Sequence, residues 1–294
     1  MSNDRVRNNV PLVNKVAVVT GASQGLGQYL AIALAREGAK VVLAARNAER
    51  IAAVAATIAG RGGTARAIPT DLTNERDCDT LVEATLAEFG SIDILVLNAG
   101  SATYGRLEEL DDFAPIRSAM EVNFFGAAYP TFRAIHHLIT SKGLIVYVTS
   151  GSGHLPMAGY LGYTTSKHAM NGFFEALRLE MVDRGVDVLA VNPGDMYNDD
   201  GAGRTFLGPD GAHHKFDLSP GRENDIKRVP ASTVADKVLG AIVDRRREID
   251  LSPGIQKFAT RVRPFLPGPV DRRILKRATQ MRRAFDAEFG QRDK

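Results

Sequence analysis

Residues 15–20 (KVAVVT) form a β-branched, apolar run that passes without a break into Gly21-Ala22-Ser23-Gln24-Gly25-Leu26-Gly27. A helical pattern follows, with Leu26, Leu30, Ala33 and Leu34 on one face. A short buried strand, a glycine-rich turn and a helix in that order leave few folds open. Glycines let backbone approach a pyrophosphate closely, and a helix start offers unpaired N–H groups at the positive end of its dipole. Glycines at this loose spacing also serve as ordinary turns, so the reading rests on what comes next.

A second strand over 40–45 (KVVLAA) closes a βαβ unit. The alternation continues with a helix over 48–59, a strand over 65–69, a helix over 74–89 and a strand over 92–97. Further strands are expected over 143–149, 186–191 and 248–252. This pitch argues for an α/β protein with a parallel sheet, helices on both faces, and ligands held beyond the carboxyl ends of the strands.

The strand ends carry the polar residues. In a dinucleotide fold an acid after the second strand binds the ribose 2′-hydroxyl of NAD, whereas Arg accommodates the 2′-phosphate of NADP. Here Ala45-Arg46-Asn47 has no carboxylate, which favours NADP. The plainer alternative is a solvated Arg46, and Gln24 adds no positive charge to the glycine loop. Asp71 could cap the segment after it or touch an adenine, and Asn98-Ala99-Gly100 would lie beneath a cofactor. As isolated residues both are ordinary turn formers. A long helix over 113–138 holds Asn123 and is interrupted by Pro130, which should kink or open it. An Asn in a buried helix commonly satisfies nearby backbone groups, and Phe124, Phe125, Tyr129 and Phe132 read as packing.

The strand over 143–149 delivers Ser150 at its end, and a helix over 163–184 carries Tyr163 and Lys167 four residues apart, on one face. A fixed cation near a tyrosine favours its phenolate, and such a tyrosine can shuttle a proton. Pairs of this kind are common and mean little alone. Their company gives them weight, because the strand over 186–191 ends at Asn192-Pro193-Gly194 and all these polar groups gather at one sheet edge.

Six features occur in order over residues 12–252: T-G-x-x-x-G-x-G at Thr20 to Gly27, N-A-G at Asn98 to Gly100, Asn123, a Ser thirteen residues before the Tyr, Y-x-x-x-K at Tyr163 to Lys167, and P-G at Pro193 and Gly194. On these motifs the sequence resembles the short-chain dehydrogenase/reductase family. The resemblance implies one doubly wound Rossmann domain over 1–252 with seven parallel strands, a substrate loop over 195–230, and hydride transfer between a nicotinamide and a carbonyl or alcohol. It makes Tyr163 the general acid in reduction and Ser150 the group that holds and polarises the carbonyl oxygen. Lys167 would bind the nicotinamide ribose and act on Tyr163, and Asn123 would position a water in a proton relay. Expected NADP(H) contacts are Gly21, Ser23, Gln24, Gly25, Leu26, Gly27, Arg46, Asp71, Leu72, Asn98, Ala99, Gly100, Tyr163, Lys167, Pro193, Gly194 and Asn198. The Y-x-x-x-K spacing favours carbonyl over enoyl chemistry, hence a ketoreductase or alcohol dehydrogenase for a small to medium apolar substrate. The alternative is a non-catalytic dinucleotide-binding sensor or scaffold, against which the intact Ser150, Tyr163, Lys167 and Asn123 argue. Two departures stand out. Asn198 occupies the position where the family often has Thr, and the chain runs on for about forty residues past the last expected strand.

Composition bounds the setting. No apolar run approaches the roughly 18 residues of a spanning helix, and residues 1–10 lack an apolar signal core. The lone Cys78 fits a reducing compartment, so a cytoplasmic location is expected. Residues 195–230 are rich in Gly, Asp, His and Pro with little periodicity, as in a substrate lid. His213-His214 lacks a third ligand at suitable spacing, so no metal is expected. Leu155, Met157, Leu161, Tyr197 and Phe206 are candidate pocket walls. From residue 245 onward fourteen Lys or Arg face six Asp or Glu, so the net charge of +3 belongs to the tail. There Ile255, Phe258, Val262, Phe265 and Leu266 recur at near-helical spacing among Lys257, Arg261 and Arg263, followed by Arg272, Arg273, Lys276 and Arg277. The extension over 253–294 is expected to pack on the domain or on a partner subunit of a dimer or tetramer. Peripheral membrane contact is the less favoured reading, and nucleic acid lacks a reading motif.

Overall fold

The computed structural model describes residues 12–198, 204–216 and 228–289. Seven strands form one parallel sheet: β1 (Val16–Thr20), β2 (Lys40–Ala45), β3 (Thr64–Pro69), β4 (Ile94–Leu97), β5 (Leu144–Val148), β6 (Asp187–Asn192) and β7 (Glu248–Asp250). Their order across the sheet is β7-β6-β5-β4-β1-β2-β3. The order reverses between β1 and β4, and that switch point opens a crevice at the carboxyl ends of the strands. β1, β4 and β5 are buried along their whole length, as expected of strands covered on both faces. β3 is one of the two edge strands, half-exposed and ended by Pro69.

Helices α1 (Gly25–Arg36), α2 (Ala48–Gly60) and α7 (Ala231–Val243) cover one face, closing a core that includes Leu30, Leu34, Ile51 and Val238. On the other face α3 (Glu75–Phe89), α5 (Gly126–Ser141) and α6 (Leu161–Glu180) bury Leu81, Leu138 and Phe174. The expected helix over 113–138 is three pieces: α4 (Ala114–Met120), a π-helical turn at Glu121–Phe125, and α5. Pro130 sits within α5, and the opening lies in the turn before it, where the Gly126 N–H reaches back to the Glu121 carbonyl. The aromatic residues of this region only partly pack. Phe125 stacks on Tyr129 at 5.5 Å, but Phe132 is 65% exposed on α5 beside Arg133, contrary to the packing role expected for it.

The segment expected to be an irregular loop contains regular structure. Residues Arg204–Leu207 and His213–Phe216 form an antiparallel hairpin about a Pro209-Asp210-Gly211 turn, and Ala102–Thr103 adds a parallel edge to it. The turn residues hold the hairpin locally: Gly211 has φ +70° and Asp210 Oδ1 accepts from Ala212 N. The strands are too short to show a period in the sequence. The tail forms α8 (Gly254–Val262) and α9 (Pro267–Phe289). Ile255, Phe258, Phe265 and Leu266 are exposed, and the tail meets the body at Gln256, Arg277 and Arg282 and along Leu275, Ala278 and Thr279. Among the described residues no helix is long and apolar enough to cross a membrane.

Candidate active site

The glycine turn is fixed by its neighbour across the switch point. Gly21 has φ +64°, and a Cβ there would come within 2.8 Å of the Ala99 Cα. Thr20 Oγ1 donates to the Val96 carbonyl and accepts from the N–H groups of Asn98 and Ala99. Asn98 Nδ2 donates to the carbonyls of Thr20 and Gly21 at 3.1 and 3.3 Å. The Asn98 side chain therefore shapes the turn. α2 and α3 begin with Asn47 and Asn74 as caps, but α1 begins after Gln24 with no side-chain cap and no acid in its first turn. Gly25, at φ +56°, faces Asn198, whose Oδ1 would lie 2.8 Å from a Cβ placed there. A glycine cradle with no room for side chains and a helix start that Gln24 leaves uncapped fit a pyrophosphate.

Around that cradle the expected contacts divide. Arg46 stands exposed just beyond β2. The guanidinium of Arg50, one turn into α2, reaches Gln24 Oε1 at 2.6 Å and brings a second cation beside the glycine loop. Sequence reasoning passed over Arg50, although the Asn47 cap, which accepts from Arg50 N, fixes where α2 begins. Asp71 is engaged with Thr73, accepting from its N–H at 3.0 Å and its hydroxyl at 2.8 Å. Leu72 is buried in the core beneath. Gly194, at φ +68°, packs against the Leu251 carbonyl. Asn192 Nδ2 donates to Ser252 Oγ at 2.7 Å, tying β6 to the chain beyond β7.

The central groups meet on α6. Lys167 is 3% exposed; its Nζ lies 5.9 Å from the centre of the Tyr163 ring and donates to the Val148 carbonyl at 2.8 Å. Burial pushes its ammonium down from 10.5 to about 8. Gly100 separates Lys167 from Asn123: a Cβ there would come 3.1 Å from Asn123 Oδ1 and 3.7 Å from Lys167 Nζ. Asn123 is fully buried in the π-helical turn. It accepts from Ser101 N at 2.7 Å and donates to the Ser101 carbonyl and Ser166 Oγ at 2.9 and 2.8 Å. Both its amide hydrogens are committed, so a water held by this side chain has only the remaining Oδ1 lone pair to donate to. Ser166 in turn donates to the Tyr163 carbonyl.

Ser150 follows β5 and opens the short 3₁₀ turn Gly151–Gly153, its Oγ accepting from Ser152 N. Asn171 of α6 pins that turn by donating to the Gly153 carbonyl at 2.9 Å. Asn171 is a positioning residue that carried no signal in the sequence. Beyond Tyr163 the rings of Tyr160, Tyr104 and Phe206 follow edge to face, with centroids 6.5, 5.0 and 6.3 Å apart. Of the candidate walls, Leu155 and Phe206 are buried, Met157 and Tyr197 half-buried, and Leu161 exposed. His214 stacks on Phe206 and pairs with Asp210 at 3.0 Å, so its place is in the hairpin.

The family profile described as short chain dehydrogenase matches residues 15–202. The 11-beta-hydroxysteroid dehydrogenase-like 3 protein of Arabidopsis thaliana is 38% identical over 62% of this chain and 59% of its own length. The 11-beta-hydroxysteroid dehydrogenase 1A of the same plant is 30% identical over 81% of this chain and 68% of its own. The chain spans only 53–59% of the length of three such relatives. Among solved structures, an alcohol dehydrogenase from the archaeon Thermococcus sibiricus complexed with 5-hydroxy-NADP superposes with a TM-score of 0.68 at 26% identity, covering 81% of this chain and 95% of that one. A metagenomic short-chain oxidoreductase in complex with NADP gives 0.67 at 27% identity, covering 83% and 99%.

Proposed function

The chain belongs to the short-chain dehydrogenase/reductase family, and on that premise we propose that it is an NADP(H)-dependent ketoreductase or alcohol dehydrogenase for a small to medium apolar substrate. The observation that carries this reading is the meeting of Lys167 with Asn123 across Gly100 and with the Tyr163 ring, beside the turn that Ser150 opens. Gly21, Gly25 and the start of α1 would hold the pyrophosphate, and Arg46 with Arg50 the 2′-phosphate. The NADP-bound structural neighbours support this choice. When bound, the nicotinamide supplies or accepts the hydride.

In reduction, negative charge grows on the carbonyl oxygen as its carbon is attacked. The Ser150 hydroxyl donates a hydrogen bond to that oxygen, and the Tyr163 O–H delivers the proton that completes the alcohol. Lys167 keeps a positive charge beside the Tyr163 ring, which favours release of that proton. Asn123 holds the 100–101 backbone and α6 in register beneath these groups. The aromatic walls at Tyr104, Tyr160 and Phe206 suit an apolar substrate, as do the hydroxysteroid dehydrogenase names of the curated relatives. NADPH consumption with a panel of ketones tests the reading. Turnover that disappears in Tyr163→Phe is expected. Tight NADPH binding with no turnover of any carbonyl would replace the enzyme with a dinucleotide sensor or scaffold.

A further inference from the structure

The apolar stripe of the tail stands in solvent. Gln256 marks the side of α8 that faces the body, because its amide lies so close to Gly151 that a Cβ at that glycine would overlap it. Phe258, two residues on and a little over half a turn round the helix, is 62% exposed, and Ile255 is exposed on the same helix. Phe265 and Leu266, in the turn into α9, are 83% and 56% exposed. The two helices are seated without these side chains: Arg263 pairs with Asp271 at 2.8 Å, Arg277 with Asp195 at 3.5 Å, and Arg282 with Glu109.

The charges around the stripe carry one sign. Between Gly254 and Thr279 seven Lys or Arg accompany a single acid, Asp271. Arg263 takes Asp271 and Arg277 takes Asp195, which leaves Lys257, Arg261, Arg272, Arg273 and Lys276 without an ion pair among the described residues. Of these, Arg261, Arg272, Arg273 and Lys276 are exposed. Residues 1–244 have the opposite sign, with 23 Lys or Arg against 28 Asp or Glu. The molecule is therefore polarised, and a negatively charged surface attracts it tail first.

We infer that the outer face of the α8–α9 hairpin is a docking surface for anionic phospholipid. Phe258, Phe265 and Leu266 enter the headgroup layer, and the unpaired cations meet phosphate and carboxylate groups there. Two other occupants fit less well. A second copy bound about a two-fold axis would lay this patch against itself and set its cations against their own copies. Nucleic acid would take the cations but give Ile255 and Leu266 no apolar layer to enter. The contact is interfacial, since no described helix is long and apolar enough to cross a bilayer. No residue of the candidate active site takes part in it.

The test is sedimentation of the full chain with vesicles of pure phosphatidylcholine or of phosphatidylcholine containing about 30% phosphatidylserine. Partitioning onto the anionic vesicles is expected to be at least tenfold stronger than onto the neutral ones, and to fall at least tenfold between about 0.1 M and about 0.5 M salt. Phe258→Asp/Phe265→Asp and Arg261→Gln/Arg272→Gln/Arg273→Gln, both at exposed positions, should each lower it at least tenfold while thermal unfolding stays within a few degrees of wild type. The chain has no Trp, so Phe265→Trp supplies a single fluorescent reporter. Its emission should move to shorter wavelength on anionic vesicles, whereas that of Phe132→Trp on α5 should not. Failure to sediment with anionic vesicles overturns the inference, as does equal binding to neutral ones or binding undiminished in either multiple variant. An unshifted Phe265→Trp emission on vesicles that sediment the protein overturns it as well. So does a lipid-free oligomer that Phe258→Asp/Phe265→Asp dissolves, which would assign the surface to a second copy.

Discussion

Lys167 is a charge kept where water barely reaches, at 3% exposure, with a backbone carbonyl as its hydrogen-bonded partner. Its folded value of about 8 against 10.5 means that the protonated side chain opposes folding at neutral pH. Lys167→Met is therefore expected to abolish turnover while stabilising the cofactor-free protein by about 1–3 kcal/mol near pH 7. The sign follows from proton counts. Below about pH 8 both states hold the proton and the penalty is full; between there and 10.5 only the unfolded state holds it, and wild-type stability recovers. The gap between variant and wild type, measured by denaturant unfolding, should be level up to about pH 8 and shrink above it. Arg46 and Arg50 make the second prediction at this scale. Arg46→Ala should raise KM for NADPH by about tenfold or more with little change for NADH, and Arg50→Ala should act in the same direction by a smaller factor. Equal losses for both cofactors would remove the 2′-phosphate assignment.

At the scale of elements, the part of the chain that departs most from its expected form is the helix around Asn123. Pro130 announced an interruption, and the interruption sits one turn upstream as a π-helical turn at Glu121–Phe125. Such turns recur at functional sites because they redirect one side chain without ending the helix. Asn123 gains three hydrogen bonds from it, two to Ser101 backbone groups and one to Ser166. Asn123→Ala is expected to destabilise the fold by about 2–4 kcal/mol, because buried partners lose their bonds, and to lower kcat more than it raises KM for NADPH. Unfolding curves and steady-state kinetics on the folded fraction check both. The βαβ rhythm was legible because strands covered on both faces must be apolar throughout, and Ser150, Tyr163 and Lys167 because their spacing is set by one strand end and one helix face. Arg50, Asn171 and Gln256 were not. Each acts through a partner distant in sequence, at Gln24, Gly153 and Gly151, so no local pattern marks it. The 204–216 hairpin escaped notice for a different reason: four-residue strands show no usable alternation.

Among the described residues, large apolar side chains stand exposed on α5 at Phe132 and on the α8–α9 hairpin at Phe258 and Phe265. We propose that a second copy covers the α5 surface. Sedimentation of the wild type should then give a dimer or tetramer, and Phe132→Asp, at a site 65% exposed in the protomer, should shift it toward monomer with little loss of protomer stability. A monomeric wild type would remove this assignment. On the proposed function, one end of the parallel sheet surrounds a single reaction, with the glycine turn and α2 on the nucleotide side and α6 and the Ser150 turn at the centre. That division makes hydride transfer the claim on which the rest depends. Its most direct test is mass spectrometry of the alcohol formed from a ketone and NADPH deuterated at the transferred position of the nicotinamide. The expected result is one deuterium on the carbinol carbon with wild type and no product with Tyr163→Phe. Product without deuterium, or undiminished deuterium transfer by Tyr163→Phe, would contradict the account.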